Sequence, residues 1–540
     1  MAKPAPESQQ QTETTHFDAI IIGSGMGGQT AASILAKVHG KHVLVLEQHY
    51  SFGGLTHEFS RRGFRFETGL HYVGGMVPGS PPRNLMDFLS GGEIDWHPLP
   101  DPYDIFCLPG QERFGVPFGE ENFRQKLQQR FPREAQAIAQ YFQDLKLASS
   151  WMGTQMMRKS LPNWLDTAAG WFVPDNENLA RQTLENYLDG HFSDPELKML
   201  LAVRWGDYGQ PPAEASFGMH ATVEHSYMNG AWFPAGGPSA LAEAVKTELE
   251  RHGTTCLLRH RVKEISLKDG KAVGVVAEEL RKGEPFAEKK FTAPIIISAA
   301  GARQTYLKFL PQEIAEPYRQ AIENFPAGTS GVMVFLGLDG FPAQLELGGE
   351  NYWIYAEAEM QLFNNHRAVA DRIVAGSPPM SFASFGSLKN SATNHPTIEM
   401  LCPVRSKAFT AALEAAGKEQ MPKEDLKAEL AAGFIRLLER ELPGLREHIV
   451  FQEVATPSTF SRFTGRPYGE FYGPAADPER EDQEWLDVET PVKGLYLTGS
   501  DVASLGIMGA AMGGVFTAGR IAGLWGLPGM MKNIFSPQEQ

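Results

Sequence analysis

A glycine-rich turn near the amino terminus constrains this chain more than any other feature. The turn reads GSGMGG over residues 23–28; it follows the apolar run AIII and precedes an Ala-rich stretch that predicts a helix. In a βαβ unit, Gly23 permits the tight turn, Gly25 lets the backbone approach a pyrophosphate, and Gly28 lets helix and strand pack closely. The phosphates then lie at the helix N-terminus, where free N–H groups favour negative charge. The sequence therefore predicts an α/β fold with a dinucleotide site.

The residues after this turn distinguish a flavin from a nicotinamide. Glu47 ends the second apolar run about 20 residues further on, where a carboxylate accepts hydrogen bonds from ribose hydroxyls. The pair Gly53 and Gly54 follows it, a pattern of FAD proteins that a simple nicotinamide dehydrogenase does not need. Near the carboxyl terminus LTGSD, with Gly499, ends a strand before a Gly/Ala-rich helix whose positive end could face a flavin ring. These features favour FAD.

Length and composition exclude several other classes of protein. A chain of 540 residues needs at least two domains, and a net charge of −15 disfavours a nucleic-acid partner. Cys107, Cys256 and Cys402 lie far apart, so neither a disulfide framework nor a cysteine zinc site is predicted, and no metal is expected. The N-terminal segment has no apolar run typical of a secretory signal, so we expect a cytoplasmic protein. The uncharged run 502–519 is rich in glycine and predicts a strand-loop-helix unit rather than a membrane span.

The alternation of apolar runs and helical patterns predicts a Rossmann-like domain assembled from discontinuous segments, together with an α+β substrate domain. The predicted boundaries are a disordered tail at 1–16, the nucleotide-binding domain at 17–105, 231–305 and 481–528, the substrate domain at 106–230 and 306–480, and a C-terminal tail at 529–540.

Several motifs together resemble a known family. The motifs are AIIIGSGMGG, LEQHYSFGGLTHEF, FRFETGLHYVGG, FPAGGPSALAEAV, IIISAAGARQTY, RPYGEFYG and GLYLTGSDVASLGIMGAAMGG. They resemble the phytoene desaturase-like FAD flavoproteins, and TGLHYVGG is most similar to the carotenoid isomerase and retinol saturase branch. The resemblance extends over nearly the whole chain from Phe17. It implies a GR2-type FAD-binding domain and an apolar polyene substrate.

The resemblance also implies which residues bind the cofactor. Adenosine and pyrophosphate would be held by Gly23, Gly25, Gly28, Glu47, Gly53, Gly54 and Thr56, adenine would contact Val262, and the flavin would be approached by Asp501, Ile507 and Met508. The chain departs from the wider superfamily after the glycine pair, where many relatives have Arg and this chain has Leu55 and Thr56. Phosphate binding there would depend on backbone amides and the Thr56 hydroxyl.

The candidate catalytic residues are His71 and Tyr72 of TGLHYVGG, since either side chain can donate or accept a proton beside a flavin. The alternative is a structural role, because a buried His–Tyr pair that forms hydrogen bonds only with nearby backbone would have the same sequence. Arg466 and Glu470 of RPYGEFYG could line the same cavity or form a structural salt bridge.

Three functions are compatible with these patterns. The first is an FAD-dependent oxidoreductase that desaturates, saturates or isomerises carbon–carbon double bonds of a carotenoid, retinoid or fatty acyl chain, with an external electron donor or acceptor. The alternatives are an amine-oxidase-like enzyme on a smaller polar substrate and a lipid-binding protein with structural FAD. The Trp/Met/basic segment 151–172 and the apolar segment 521–535 predict peripheral membrane contact, unless both are buried.

Overall fold

The computed structural model describes residues 15–159, 161, 176–390 and 395–536. Its strands are β1 (Thr15–His16), β2 (Ala19–Ile22), β3 (Val43–Leu46), β4 (Glu58–Arg61), β5 (Phe64–Glu67), β6 (Val73–Gly74), β7 (Trp96–Pro98), β8 (Asp104–Cys107), β9 (Phe114–Val116), β10 (Ala231–Pro234), β11 (Thr255–Leu257), β12 (His260–Lys268), β13 (Lys271–Arg281), β14 (Glu284–Thr292), β15 (Ile295–Ser298), β16 (Ser330–Leu338), β17 (Asn351–Tyr355), β18 (Met380–Ser384), β19 (Thr397–Val404), β20 (Ile449–Ala455) and β21 (Leu495–Leu497).

The helices among the described residues are α1 (Met26–Lys37), α2 (Pro81–Ser90), α3 (Glu120–Arg130), α4 (Ala135–Arg158), α5 (Glu177–Arg181), α6 (Leu184–His191), α7 (Pro195–Ala202), α8 (Phe217–Tyr227), α9 (Pro238–Arg251), α10 (Ala302–Gln304), α11 (Gln312–Asn324), α12 (Met360–Asn364), α13 (His366–Val374), α14 (Gly386–Lys389), α15 (Ser406–Ala415), α16 (Lys423–Glu441), α17 (Pro457–Thr464) and α18 (Gly506–Phe535). The last helix is interrupted at Gly523. Within the part of the chain that the structure describes, no helix is long and apolar enough to cross a membrane.

A five-stranded parallel sheet in the order β11-β3-β2-β15-β21 forms the first layer. Its strands consist largely of Ile, Leu and Val and are mostly buried, as parallel strands covered on both faces require. Helix α1 connects β2 to β3 and packs against α18 and α9. The sheet collects strands from three separated parts of the chain, which confirms the predicted Rossmann-like fold.

A mixed seven-stranded sheet in the order β20-β16-β19-β18-β17-β8-β9 forms the second layer. β16 pairs antiparallel with both β19 and β20, and every residue of β16 is buried. Helices α4 and α8 pack against each other, and α16 lies against β20. This mixture of antiparallel strands and helices is the α+β character expected of the second domain.

Smaller sheets connect these layers. β12, β13 and β14 form an antiparallel sheet that β1 extends, β10 pairs with β6 and β7, and β4 pairs with β5. The β4–β5 hairpin contributes Phe64 and Phe66 to a cluster of phenylalanines with β16. The β5 strand ends at Glu67, and the loop after it leads directly to His71.

The structure changes three of the predicted boundaries. Thr15 and His16 pair with β14 rather than belonging to a tail, and residues 1–14 lie outside the described residues. The boundary after residue 105 divides β8, which pairs as a whole with β9 and β17. The predicted tail at 529 is helical as far as Phe535, because Met530 and Ile534 are buried in the core.

Burial also changes the prediction of membrane contact. Trp151, Met152 and Met156 are buried on α4, whereas Met157 is exposed. Of the other side chains predicted to reach a membrane in this segment, Trp164, Trp171 and Phe172 lie outside the described residues. For the described part of both segments, packing against the core therefore accounts for most of the apolar side chains.

Candidate functional site

A cavity of about 270 Å³ lies where the strands of the parallel sheet end. Gly23 follows β2, Glu47 follows β3, Ala299 follows β15 and Thr498 follows β21, and all four line this first cavity. The carboxyl edge of a doubly wound sheet is the usual position of a ligand site in this class of fold. Of the predicted site residues, the first cavity is lined by Gly23, Gly25, Glu47, Gly53, Gly54, Thr56, His71, Val262, Gly499 and Ile507.

The glycines of the turn have different environments. A Cβ atom added to Gly25 would meet no atom within 4 Å, so this position opens into the cavity. A Cβ atom on Gly28 would be 2.2 Å from the Gly23 carbonyl oxygen, and one on Gly27 would be 2.4 Å from Gly499 Cα. Gly28 does not line the cavity and permits close packing instead, which is the role its motif position predicts.

Two helices begin at the cavity. Helix α1 starts after Gly25 and α18 starts after Leu505, and neither N-cap residue offers a side-chain hydrogen bond to the free N–H groups. Both N-termini therefore carry uncompensated positive dipole ends, which suit a pyrophosphate and an anionic ring respectively. Thr498 Oγ1 is buried and has no hydrogen-bond partner among the described residues. The two helix N-termini and the Thr498 hydroxyl therefore favour a ligand that is anionic and can form hydrogen bonds on this side of the cavity.

Glu47 is held rigidly at the end of β3. Its Oε2 atom accepts hydrogen bonds from the Ser24 backbone N–H at 2.9 Å and the Ser24 hydroxyl at 2.7 Å, and Oε1 accepts from the His49 N–H at 2.7 Å. A carboxylate oxygen can accept more than one bond, so Glu47 keeps acceptor capacity toward ribose hydroxyls.

The second glycine pair forms a tight loop. Gly53 and Gly54 both have positive φ angles, 115° and 59°, which glycine adopts without strain. Thr56 lines the cavity, but its hydroxyl donates to the Gly53 carbonyl oxygen at 2.6 Å. That hydroxyl proton is therefore already used. The Gly53 and Thr56 N–H groups also donate within the protein, to Ser24 Oγ at 3.0 Å and to the Gly53 carbonyl oxygen at 3.1 Å, so the loop's remaining donors toward a phosphate are the N–H groups of Gly54 and Leu55.

The structure places Asp501 differently from the prediction. Asp501 is buried but does not line the cavity; its carboxylate accepts hydrogen bonds from Arg466 Nη2 at 2.9 Å and the Ala302 N–H at 2.8 Å. Burial opposes ionisation, yet Arg466 holds the pKa of Asp501 below its usual value. Arg466 itself lines the first cavity, whereas Glu470 is buried away from it and accepts a bond from the Tyr468 N–H. Asp501 thus positions the cavity's arginine.

A second cavity of about 150 Å³ continues from the first. The two share Gly69, His71, Leu401, Tyr472, Gly506 and Ile507 as lining residues. Met508 lines only the second cavity, whereas the sequence analysis expected it to lie close to the flavin. The apolar lining of the second cavity consists of Val73, Val223, Trp353, Phe382, Leu401, Pro403, Leu505, Ile507 and Met508. Its composition suits an apolar ligand.

The two candidate catalytic side chains lie in these cavities and have different partners. His71 lines both cavities, and its Nδ1 atom is 2.9 Å from Glu67 Oε2. Burial and the nearby Lys389 lower the pKa of His71 to about 3, so the imidazole is neutral at neutral pH. Tyr72 lines the second cavity and donates its hydroxyl proton to Asp207 Oδ2 at 2.8 Å. Burial raises the pKa of Asp207 to about 8, which keeps this carboxyl group largely protonated.

Three histidines in the first cavity were missed by the sequence analysis: His260, at the start of β12, and the neighbouring pair His49 and His57. The rings of His49 and His57 are 4.7 Å apart, and the His57 Nδ1 atom is 2.5 Å from the Gly54 carbonyl oxygen. Burial and the neighbouring His57 lower the pKa of His49 to about 4. Their positions on either side of the glycine pair were the signal available in the sequence. Among the described residues, no group of three metal-binding side chains occurs.

Comparison with known proteins identifies the class. The family model described as flavin containing amine oxidoreductase matches residues 26–522. Putrescine oxidase bound to putrescine has a similar structure, with a TM-score of 0.63 at 16% identity over 94% of this chain and 99% of the other. Cyclohexylamine oxidase from Brevibacterium oxydans has a TM-score of 0.58 at 16% identity, covering 96% and 99% of the two chains. These structures share the fold.

The more similar sequences belong to one branch of that class. All-trans-retinol 13,14-reductase of Danio rerio is 31% identical over 526 residues, which cover 94% of this chain and 86% of the relative. Prolycopene isomerase of Daucus carota is 26% identical over 538 residues, covering 95% and 81%. The chain belongs to the flavin containing amine oxidoreductase family, in the branch of retinol 13,14-reductases and prolycopene isomerases. It is an FAD-dependent oxidoreductase, as the sequence predicted.

Proposed function

We propose that this protein reduces a carbon–carbon double bond of a polyene lipid. FAD would lie in the first cavity, with Gly25 and the N-terminus of α1 at the pyrophosphate, Glu47 at a ribose and the N-terminus of α18 at the ring. The observation that carries the proposal is the mainly apolar second cavity, joined to the first at His71 and Ile507. The relatives named as retinol reductases and prolycopene isomerases support the same substrate class.

The chain's own residues have three tasks in such a reaction. Bound FAD would supply or accept a hydride at carbon. The apolar walls of the second cavity would exclude water and hold the polyene against the junction between the cavities. One proton must also reach or leave the neighbouring carbon, and His71 and Tyr72 are the titratable groups that we assign to that region. Tyr72 stacks on Tyr227 with ring centroids 4.7 Å apart, which fixes its position.

An amine-oxidase-like reaction has less support from the site. Lys389 donates a hydrogen bond to the His71 carbonyl oxygen but lines neither cavity, and it also donates to Asn351 Oδ1 and Ser384 Oγ. All three protons of its ammonium group are therefore used inside the protein. The similarity to amine oxidases is at 16% identity and concerns the fold.

The proposal includes an external electron donor and peripheral membrane contact. A polyene lipid resides in a membrane, so the protein must collect it there or from a carrier. Met157, which is about half exposed at the end of α4, is the described apolar side chain of the predicted segment that is best placed to touch a bilayer. Contact of this kind is reversible and needs no spanning helix.

The function is tested by anaerobic mixing. Protein whose flavin has been photoreduced is mixed with all-trans-retinol, prolycopene or an unsaturated fatty acid, and oxidised protein is mixed with putrescine or cyclohexylamine. We expect a polyene to reoxidise the flavin and to gain two hydrogen atoms, and we expect the amines to leave the oxidised flavin unchanged. Reduction of the flavin by an amine, with no reaction of any polyene, would overturn the proposal.

A variant pair separates substrate binding from cofactor binding. Met508→Trp should fill part of the second cavity, so we expect an unchanged FAD content and a loss of most of the reaction with polyene. Val450→Trp introduces the same side chain at an exposed position of β20, outside both cavities, and should react like the wild type. Equal rates for the two variants would remove the second cavity from the proposal.

A further inference from the structure

A buried cluster of ionisable groups lies behind His71, outside both cavities. It contains the carboxyl groups of Glu67, at the end of β5, and Glu399, in β19, together with Lys389, at the end of α14. Glu67 and Glu399 are buried, and none of the three residues lines either cavity. Two carboxyl groups and one ammonium group in such a place require an explanation, because buried charges are costly unless they are paired.

The two carboxyl groups face the same small space. A Cβ atom built on Gly386 would be 2.5 Å from Glu67 Oε1 and 3.3 Å from Glu399 Oε2. Oε2 of Glu399 is buried without a hydrogen-bond partner among the described residues. The Glu67 backbone N–H donates to the other oxygen of Glu399 at 3.4 Å. The glycine at 386 thus leaves room for the two acids to approach each other.

The charge of the cluster balances only if the acids retain a proton. Lys389 is the cation that faces them, and its three N–H groups are directed to neutral oxygen atoms rather than to either carboxylate. Glu58 adds a further negative charge near Glu67, and neutral His71 adds none. Burial raises the pKa of both Glu67 and Glu399, and their mutual repulsion raises the pKa of Glu399 further, while Lys389 lowers both values. One ammonium group therefore compensates one carboxylate.

The connection from this cluster to the cavities is His71. Its Nδ1 atom is 2.9 Å from Glu67 Oε2, and Nε2 makes no hydrogen bond to any described residue. The ring lines both cavities beside Ile507, at the junction where we place the reacting carbon. We propose that Glu67 and Glu399 share one stored proton and that His71 relays it to the substrate in the second cavity.

The protons and electrons of this relay balance without any further reactant. The relay rests on the proposed function. The shared proton first moves within the Glu67 carboxyl group from Oε1, which faces Glu399, to Oε2, which faces Nδ1 of a His71 ring protonated at Nε2. The Glu67 Oε2–H bond then breaks as His71 gains a proton at Nδ1, and the His71 Nε2–H bond breaks as a C–H bond forms on the polyene. Bound reduced FAD would supply the other hydrogen as a hydride, with both electrons. His71 ends as the Nδ1–H tautomer, and Glu67 and Glu399 are left as two carboxylates. One solvent proton that binds His71 Nε2, while the Nδ1 proton returns to Glu67, restores the starting state before the next turnover. Glu67 and Glu399 are therefore positioning residues that act through His71.

The shared proton is tested by infrared spectroscopy of the holoenzyme, without substrate. Asp207 is also largely protonated at neutral pH, so the spectra are recorded in an Asp207→Asn background. There we expect the carbonyl band of a buried protonated carboxylic acid, which Glu399→Gln and Glu67→Gln should each alter or remove. Glu248→Gln, which changes an acid outside this cluster, should leave the band unchanged. In D2O the band should shift as the proton exchanges through His71, and His71→Phe should slow that exchange at least about ten-fold. A missing band, or exchange that His71→Phe leaves unchanged, would overturn the proposal.

Catalysis gives an independent measurement. In single turnovers with a polyene, Glu399→Gln and Glu67→Gln should retain FAD and Tm but react about 100-fold more slowly, the usual contribution of a general acid. Wild-type rates in both variants would overturn the relay. If the wild type reacts with no polyene, the proposed function fails, while the infrared band and its exchange still decide whether His71 connects a shared proton to the cavity.

Discussion

Two glycines of the amino-terminal turn provide a matched pair of substitutions with opposite expected effects. Gly25 has φ −63° and ψ 168°, which any L-residue can adopt, and a Cβ atom there meets nothing within 4 Å. Gly25→Val should therefore leave the apoprotein folded, with a stability change within about 0.5 kcal/mol. Gly27→Ala would place Cβ 2.4 Å from Gly499 Cα and 2.6 Å from Gly499 N, and these atoms cannot rotate away.

The magnitudes follow from these contacts. Carbon atoms in proteins pack at about 3.5–4.0 Å, so Gly27→Ala must push the turn after β21 outward by about 1 Å, at a cost of about 3 kcal/mol or more. Gly25→Val instead fills the space at the N-terminus of α1. The loss of about two charge-assisted hydrogen bonds to pyrophosphate there weakens FAD binding by about 3 kcal/mol, or roughly 100-fold.

The assay compares FAD content and the Tm of the apoprotein for the two variants. We expect Gly25→Val to purify without flavin at wild-type apoprotein Tm, and Gly27→Ala to have a lowered Tm even before FAD is added. Stoichiometric FAD in Gly25→Val would refute the assignment of the pyrophosphate to this turn. A normal Tm in Gly27→Ala would refute the packing of α1 against the turn after β21.

Three further predictions concern single residues. Asp501→Asn should lower the free energy of unfolding by about 2 kcal/mol, because the buried Asp501 side chain loses its charge-assisted hydrogen bond to the partly exposed Arg466; unchanged denaturant unfolding would contradict this. Burial raises the pKa of Asp207 to about 8, so the folded state binds more protons than the unfolded state between about pH 4 and pH 8, and stability is lost as pH rises through that window, by up to about 1.4 kcal/mol per pH unit. Asp207→Asn should remove that part of the slope in urea unfolding measured across this range, and an identical slope would contradict the argument. Met157→Ser should reduce flotation with liposomes while leaving Tm unchanged, and equal flotation of both proteins would exclude this contact.

The sequence was sufficient to predict the parallel sheet of the FAD-binding domain because its signals are local. Gly23, Gly25 and Gly28 follow a buried strand within one turn, and their spacing specifies both the phosphate position and the helix packing. Glu47 ends the next strand of the same unit. A parallel sheet brings the carboxyl ends of its strands to one edge, so residues far apart in sequence, such as Gly499, could be added by the same rule.

The sequence was insufficient where side chains meet through tertiary packing. Asp501 follows the predicted strand, but its carboxylate turns toward Arg466 and away from the cavity, a choice that depends on a residue 35 positions away. Glu67 and Glu399 are separated by 332 residues and carry no motif, so only the fold shows that they approach each other. The apolar C-terminal segment was ambiguous for a similar reason, because an amphipathic or apolar run has the same pattern whether it faces a bilayer or a core.

A single anaerobic turnover tests the central claim most directly. A known amount of protein is photoreduced, mixed with excess polyene, and analysed for oxidised flavin and for the mass of the product. We predict one polyene with two additional hydrogen atoms for each flavin that is reoxidised. A flavin that stays reduced while the polyene is unchanged, or is only rearranged at constant mass, would contradict the claim that this protein reduces a carbon–carbon double bond.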